Sequence, residues 1–155
     1  MFRANGVAPE APTSEAAFQG KDPARVIVVT QDIIRGIQRD LTTAQKGQVD
    51  LVVLGCPHAS YPELCEIADL MRGKHVKEGT QLWVQTGKTQ QELASRSGIE
   101  KELVDAGVFL ITDTCINNTQ VAVWGFDTIV TNSGKMAHYA PGTTGGRVHF
   151  DNTGN

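Results

Sequence analysis

The 155-residue chain is 40% hydrophobic, enough for one α/β domain with its own core and too short for two ordinary domains. A net charge of -3 and a pI near 5.8 offer no basic surface to draw in nucleic acid or an anionic membrane. No apolar run approaches the roughly 20 residues of a membrane-spanning helix, and the start, MFRANGVAPEAPTSEAAF, lacks the apolar core of a signal peptide, so the expectation is a soluble, cytoplasmic protein. Three cysteines, Cys56, Cys65 and Cys115, are an odd number without paired spacing, which argues against a disulfide framework. Thiols left free or bound to metal in a reducing compartment fit better.

Residues 1–24 hold Pro9, Pro12 and Pro23 and no sustained apolar periodicity, so this stretch is expected to be irregular, with one short helix near Ser14 to Phe18. Residues 25–155 are expected to form one α/β domain. Val26 to Thr30 (VIVVT), Asp50 to Leu54, Gln81 to Thr86, Val108 to Thr112 and Asp127 to Thr131 read as strands, several of them apolar throughout, as strands covered on both faces are. Asp32 to Leu41 places Ile33, Ile34, Ile37 and Leu41 on one helical face. Tyr61 to Met71 does the same with Leu64, Ile67, Ala68 and Met71, after a Ser60/Glu63 capping box with Pro62 in the first turn and before Gly73 as a stop. A third helix is predicted from the Thr89/Glu92 box, broken at Gly98 and resumed through Glu102 to Gly107. The alternation predicts a three-layer α/β fold, a parallel sheet flanked by helices.

In such folds the loops leaving the carboxyl ends of the strands carry ligands, because helix N-termini and free backbone amides converge there. Three segments occupy that position. Gly55-Cys56-Pro57-His58-Ala59-Ser60 delivers a thiol, an imidazole and a hydroxyl just before a helix start, whose partial positive charge favours a thiolate. Cys56 with His58 points to a metal ligand or nucleophile, against a cysteine that merely packs; Ser60 reads as a cap. Thr112-Asp113-Thr114-Cys115 puts a second cysteine on the same sheet edge, consistent with a shared metal or with coincidence. Cys65 lies beside the apolar face of its helix and reads as packing. In Asn132-Ser133-Gly134-Lys135 the first two residues can cap a helix whose amides face a carboxylate or phosphate, while Lys135 adds charge and His138 follows one turn later. An ordinary capped helix explains the same residues equally well. The upstream glycine of a nucleotide-binding P-loop is absent and Ser133 precedes the lysine, so a nucleotide site is disfavoured.

Read together, GVAPEAPTSEAAFQG (6–20), DLVVLGCPHASYPEL (50–64), ITDTC (111–115), VTNSGKMAHYAPG (130–142) and GRVHF (146–150) resemble the catalytic subunit of the aconitase X family, which includes cis-3-hydroxyproline dehydratases and phosphomevalonate dehydratases. The resemblance covers nearly the whole chain. It implies an aconitase-like subdomain and a hydro-lyase that removes water from a small hydroxy acid through an iron-sulfur cluster, with Cys56 and Cys115 matching two cluster cysteines. It also implies substrate contacts from Asn132, Ser133, Lys135 and His58, catalytic roles for Ser133, Lys135 and His138, with His138 as the proton-transfer group, and a small swivelling subunit or domain as partner. Two departures stand out. Ala8 replaces the threonine of GVTPEA, and the third cysteine expected after VHF is missing from Phe150 to Asn155. The expectation is therefore part of a catalytic unit several hundred residues long, with a non-catalytic module that binds a small anion or a partner subunit as the alternative.

Overall fold

The computed structural model describes residues 4–45, 47–119 and 121–152. They fall into two compact units, 1–33 and 34–155. In the first, α1 (Ser14–Phe18) starts at Thr13, whose side-chain oxygen accepts the Ala16 amide, and stops where Gln19 and Gly20 turn left-handed. Before it, backbone bonds from Gly6 to Ala11 O and from Ala8 to Ala4 O close a tight loop around the buried Ala11. Val26 to Thr30 is not a strand here. It runs without regular structure, with Val26, Ile27, Val28 and Val29 exposed at 65 to 73%. β-branched side chains favour extended backbone, but a strand exists only against a neighbour, and no described segment pairs with this one.

α2 (Gln31–Leu41) forms as the Ile33, Ile34, Ile37 and Leu41 spacing predicts. Only Leu41 packs into a core, while the three isoleucines stay 40 to 48% exposed.

The second unit is built on five parallel strands in the order β3-β2-β1-β4-β5. These are β1 (Leu51–Ala59), β2 (Gln81–Thr86), β3 (Val108–Thr112), β4 (Thr128–Thr131) and β5 (Arg147–Phe150). Four lie where the apolar runs predict. The fifth is Arg147–Phe150, too short for its alternation to declare it in advance. Its outer edge is closed by residues 42–44. The amides of Thr43 and Ala44 donate to Val148 O, and the hydroxyls of Thr43 and Thr42 accept from the amides of Val148 and Phe150.

Helices cover the two faces of the sheet. On one lie α3 (Tyr61–Met71), α4 (Lys88–Ser97) and α5 (Ile99–Asp105), burying Leu64, Ile67, Ala68, Ala94 and Leu103 against Leu54, Leu82, Val84 and Val108. On the other lie α6 (Gly134–Thr143) and 3-10 turns at Ile116–Asn118 and Val121–Trp124. They bury Met136, Ala137, Ala140, Ile116 and Val121 against Leu51, Val53, Ile129 and Val148. Alternate residues of β1 thus feed opposite cores, which is why its sequence is apolar throughout. This is the three-layer α/β arrangement expected from the sequence.

The predicted start of α3 is present in a modified form. The Glu63 carboxylate accepts both the Ser60 amide at 2.8 Å and the Ser60 hydroxyl at 2.6 Å. Those two bonds, the hydroxyl's first and the amide's second, hold the Glu63 carboxyl below its ordinary range. α4 begins two residues earlier than the Thr89/Glu92 box implies, with Gly87 as its cap. The Lys88 amide is satisfied by Asp113 Oδ1 at 3.1 Å, an acceptor far away in sequence, so Thr89 has no capping task. Gly98 turns left-handed between α4 and α5, as its position predicts.

Candidate functional site at the carboxyl edge of the sheet

The strand order reverses between β1 and β4. From β1 the chain proceeds through α3 to β2 on one side, and from β4 through α6 to β5 on the other. With α3 and α6 on opposite faces, the carboxyl ends of β1 and β4 flank a crevice, the position where open parallel sheets bind ligands. Both sequence segments that end these strands, Gly55–His58 and Asn132–Lys135, were singled out above.

β1 does not end simply. Leu54 pairs with Val84 and Ala59 with Thr86, so four residues, 55–58, stand opposite the single residue Gln85. This excursion is a bulge that pushes Cys56, Pro57 and His58 out of the ladder, with a cis bond between Cys56 and Pro57. Gly55 makes it feasible. Its φ is +85°, and a β-carbon there would sit 2.1 Å from the Gln85 carbonyl oxygen. Beyond the bulge, the buried Thr86 hydroxyl donates to Ala59 O at 2.6 Å and returns the chain to register.

The bulge meets the end of β3. His58 Nε2 lies 2.7 Å from Thr114 O, and Gln85 Nε2 donates to the same carbonyl at 3.4 Å. A carbonyl only accepts, so Nε2 donates in this bond. Asp113 adopts a left-handed φ of 53°, its amide donates to Thr86 O, and the chain then turns through Cys115 into the 3-10 turn. Thus His58 and the Cys115 turn are joined directly. Cys56 and Cys115 are both half-buried free thiols; Cys56 packs on the core that contains Ile116. Cys65 is also half-buried but rides on α3, in the opposite layer.

At the other flank, Ser133 is buried and caps α6, its Oγ accepting the Met136 amide at 3.1 Å. That bond leaves the Ser133 hydroxyl proton free to donate. Asn132 is exposed and, with Asp151 and Asn152, rims a cleft of about 190 Å³ floored by Val52, Leu54 and Val130. Lys135 is exposed in the first turn of α6. His138 is exposed one turn on, its ring edge-to-face with Tyr139 at 4.9 Å.

The donors present do not make a complete metal site. Among the described residues, no group of three or more His, Cys, Asp or Glu side chains is placed to hold a metal ion. Cys56, His58 and Cys115 all lie toward the carboxyl edge of the sheet, but they do not form such a group. Close by, Asn117 Oδ1 is buried without a hydrogen-bond donor among the described residues, two positions after Cys115.

Two positioning residues escaped the sequence reading. Gln85 is buried at 2% exposure directly after the apolar run Leu82 to Val84, and a buried amide must find partners, which is a signal of its task. Asp113, beside Cys115, holds the loop by its side chain as well as its backbone, and nothing in its neighbours declares that.

Residues 49–155 match the family described as the aconitase X third domain. The chain belongs to the aconitase X family. It is 36% identical over 152 residues to a cis-3-hydroxy-L-proline dehydratase of Pseudomonas aeruginosa, covering 97% of this chain and 26% of that protein. To the phosphomevalonate dehydratase large subunit of Methanothermobacter thermautotrophicus it is 30% identical, covering 97% of this chain and 36% of the relative. Thermococcus kodakaraensis aconitase X, solved as a crystal structure in its holo-form, superimposes with a TM-score of 0.77 at 29% identity, over 86% of this chain and 34% of that one. The chain thus spans between a quarter and about a third of the length of these relatives. The parallel α/β sheet is that of an aconitase X protein. No helix among the described residues is long and apolar enough to cross a membrane.

Proposed function

We propose that this chain is the cluster-bearing edge of an aconitase X hydro-lyase that dehydrates a small hydroxy acid and is completed by other polypeptide. The observation that carries it is the junction between the β1 bulge and the end of β3, at the carboxyl edge of the sheet. There His58 ties the Cys56 bulge to the Cys115 turn through Thr114 O, within a chain whose relatives are named dehydratases. In this reading Cys56 and Cys115 supply two thiolates to an iron-sulfur cluster, and its remaining protein ligand comes from outside the described residues. Such a cluster, when bound, supplies Lewis acidity toward a hydroxyl oxygen.

The chain's own residues have separable tasks. His58 and Gln85 hold the Cys115 turn in place through one shared carbonyl. Asn132, Lys135 and the first amides of α6 bind a substrate carboxylate or phosphate, the helix start and the lysine adding charge of the same sign. Ser133 fixes that helix start and has one proton left to donate. His138, one turn along, moves the proton that leaves with the departing hydroxyl. Relatives such as that of Methanothermobacter thermautotrophicus are named large subunits, which supports a small subunit as partner.

The test is anaerobic reconstitution with iron and sulfide, read by visible absorption and iron content. The parent protein is expected to turn brown and Cys56→Ser and Cys115→Ser each to lose most of the bound iron. A colourless parent, or mutants that keep full iron, would refute the assignment. One observation favours a second reading, a non-catalytic module that binds a small anion or a partner subunit: the described donors stop short of a three-ligand group. An iron-free parent that still binds citrate or inorganic phosphate at Lys135 would decide for it.

A further inference from the structure

Among the described residues only Gln19 and Asp113 combine a side chain with a left-handed backbone, at φ 54° and 53°. Gln19 ends α1, where a left-handed residue is an ordinary helix stop. Asp113 directly follows β3 and ends no helix, and a residue with a β-carbon keeps such a conformation there only where its surroundings impose it. Its contacts do so. The Asp113 amide donates to Thr86 O at 3.1 Å, and Asp113 Oδ1 accepts the Lys88 amide at 3.1 Å. One residue on, Thr114 O accepts from His58 and from Gln85.

The carboxylate is the part of this arrangement that backbone alone does not supply. α4 starts at Lys88 behind Gly87, a cap with no side chain, so the Lys88 amide needs an acceptor from another element. Asp113 brings one from 25 residues downstream, and the partial positive charge of a helix start favours a negative group there. That bond fixes Asp113 on the junction between β2 and α4, while its own amide fixes it on β2. Cys115 lies two residues further and leads into the 3-10 turn Ile116–Asn118, in which the Asn118 amide donates to Cys115 O at 3.0 Å. Where Asp113 is held therefore decides where the Cys115 backbone leaves the sheet. We propose that Asp113 is a positioning residue for Cys115, its carboxylate anchoring the thiol-bearing turn to the first amide of α4. This rests on the reading of Cys115 as a cluster ligand, but the hold on the turn is measured without iron.

Two substitutions in the full 155-residue chain separate the carboxylate from the backbone. Asp113→Gly takes up the left-handed conformation without strain but removes the acceptor, whereas Asp113→Asn keeps an accepting oxygen and a tolerance for that conformation. Amide exchange is read at residues 113, 118 and 119, whose amides bond to β2 or within the turn, with urea midpoints alongside. In Asp113→Gly these amides are expected to exchange about tenfold faster, the factor that one charge-assisted hydrogen bond lends to a local opening. The urea midpoint should hold, because relief of the left-handed strain opposes the loss of one bond. Asp113→Asn should restore most of the protection. After anaerobic reconstitution with iron and sulfide, Asp113→Gly is expected to hold iron about tenfold more weakly against a chelator, as when the partner of a metal ligand is removed. Turn amides that exchange as in the parent overturn the proposal. So does a loss of protection that spreads over the whole sheet with a lower urea midpoint, which marks a structural role alone. It is also overturned if Asp113→Asn fares no better than Asp113→Gly, or if a loosened turn holds iron as firmly as the parent. A parent that takes up no iron, with a turn that still loosens in Asp113→Gly, sinks the cluster reading and leaves the anchoring of the turn standing.

Discussion

Gly55 is the residue on which the candidate site most directly depends, and Gly55→Ala tests that in a quantifiable way. At φ +85° an alanine meets the steric penalty of left-handed backbone, about 1 to 2 kcal/mol. Its β-carbon would also lie 2.1 Å from the Gln85 carbonyl oxygen, more than 1 Å inside the 3.4 Å at which ordinary contact begins. The obstacle is backbone and not a flexible side chain. Relief requires the end of β1 to move away from β2, where Leu54 pairs with Val84, and overpacking of that kind costs about 1 to 3 kcal/mol. The two effects together predict a loss of about 2 to 5 kcal/mol, a large share of the roughly 5 to 15 kcal/mol that holds a domain folded.

The assay is urea unfolding followed by circular dichroism, with the slope checked for constancy so that the midpoint reports stability. Gly36→Ala supplies a control of opposite sign. It lies inside α2, where a β-carbon meets nothing closer than the Arg39 guanidinium at 4.0 Å, so alanine should stabilise by about 0.5 to 1 kcal/mol. If Gly55→Ala unfolds within about 0.5 kcal/mol of the parent, the bulge is not held as described. The argument that Gly55 is needed to present Cys56 then fails with it.

Met136→Ala empties a fully buried position between α6 and the sheet and should cost about 2 to 5 kcal/mol in the same urea assay, since α6 has few other large anchors. Ser60→Ala removes the hydroxyl bonded to Glu63 and should cost about 0.5 to 2 kcal/mol at neutral pH. That difference carries a pH signature. The folded-state pKa of Glu63 is depressed, so its contribution is present above the unfolded value, near 4.5, and is lost as pH falls through the folded one. Parent and Ser60→Ala should therefore converge in strong acid, as measured by urea midpoints across pH; a gap that stays constant would show that Glu63 is not the partner.

How much was legible before the structure depended on whether a residue's partner lies on its own element. α3 was readable because its cap, its proline and its apolar stripe all fall within Ser60 to Met71. β1, β2 and β3 were readable because each carries a short run of large apolar or β-branched residues that the sheet buries on at least one face. The strand-end position of Cys56, Cys115 and Ser133 followed from the same alternation. What was not legible was supplied from a distance. The α4 start is satisfied by Asp113, 25 residues downstream, so the local Thr89/Glu92 box misplaced its cap. β5 is a four-residue strand whose outer edge is closed by Thr42 to Ala44, more than 100 residues upstream.

Val26–Thr30 is the limiting case of that rule. Composition predicts a strand there as strongly as at Val108–Thr112, and the two runs have equal length and similar β-branched or aromatic content. Only the second has a strand beside it. Propensity is a property of the residues and pairing is a property of the neighbourhood, so the same signal yields β3 in one place and exposed irregular chain in the other. The candidate site obeys the same logic. Cys56 and Cys115 both lie toward the carboxyl edge, yet among the described residues no group of three or more His, Cys, Asp or Glu side chains is placed to hold a metal ion.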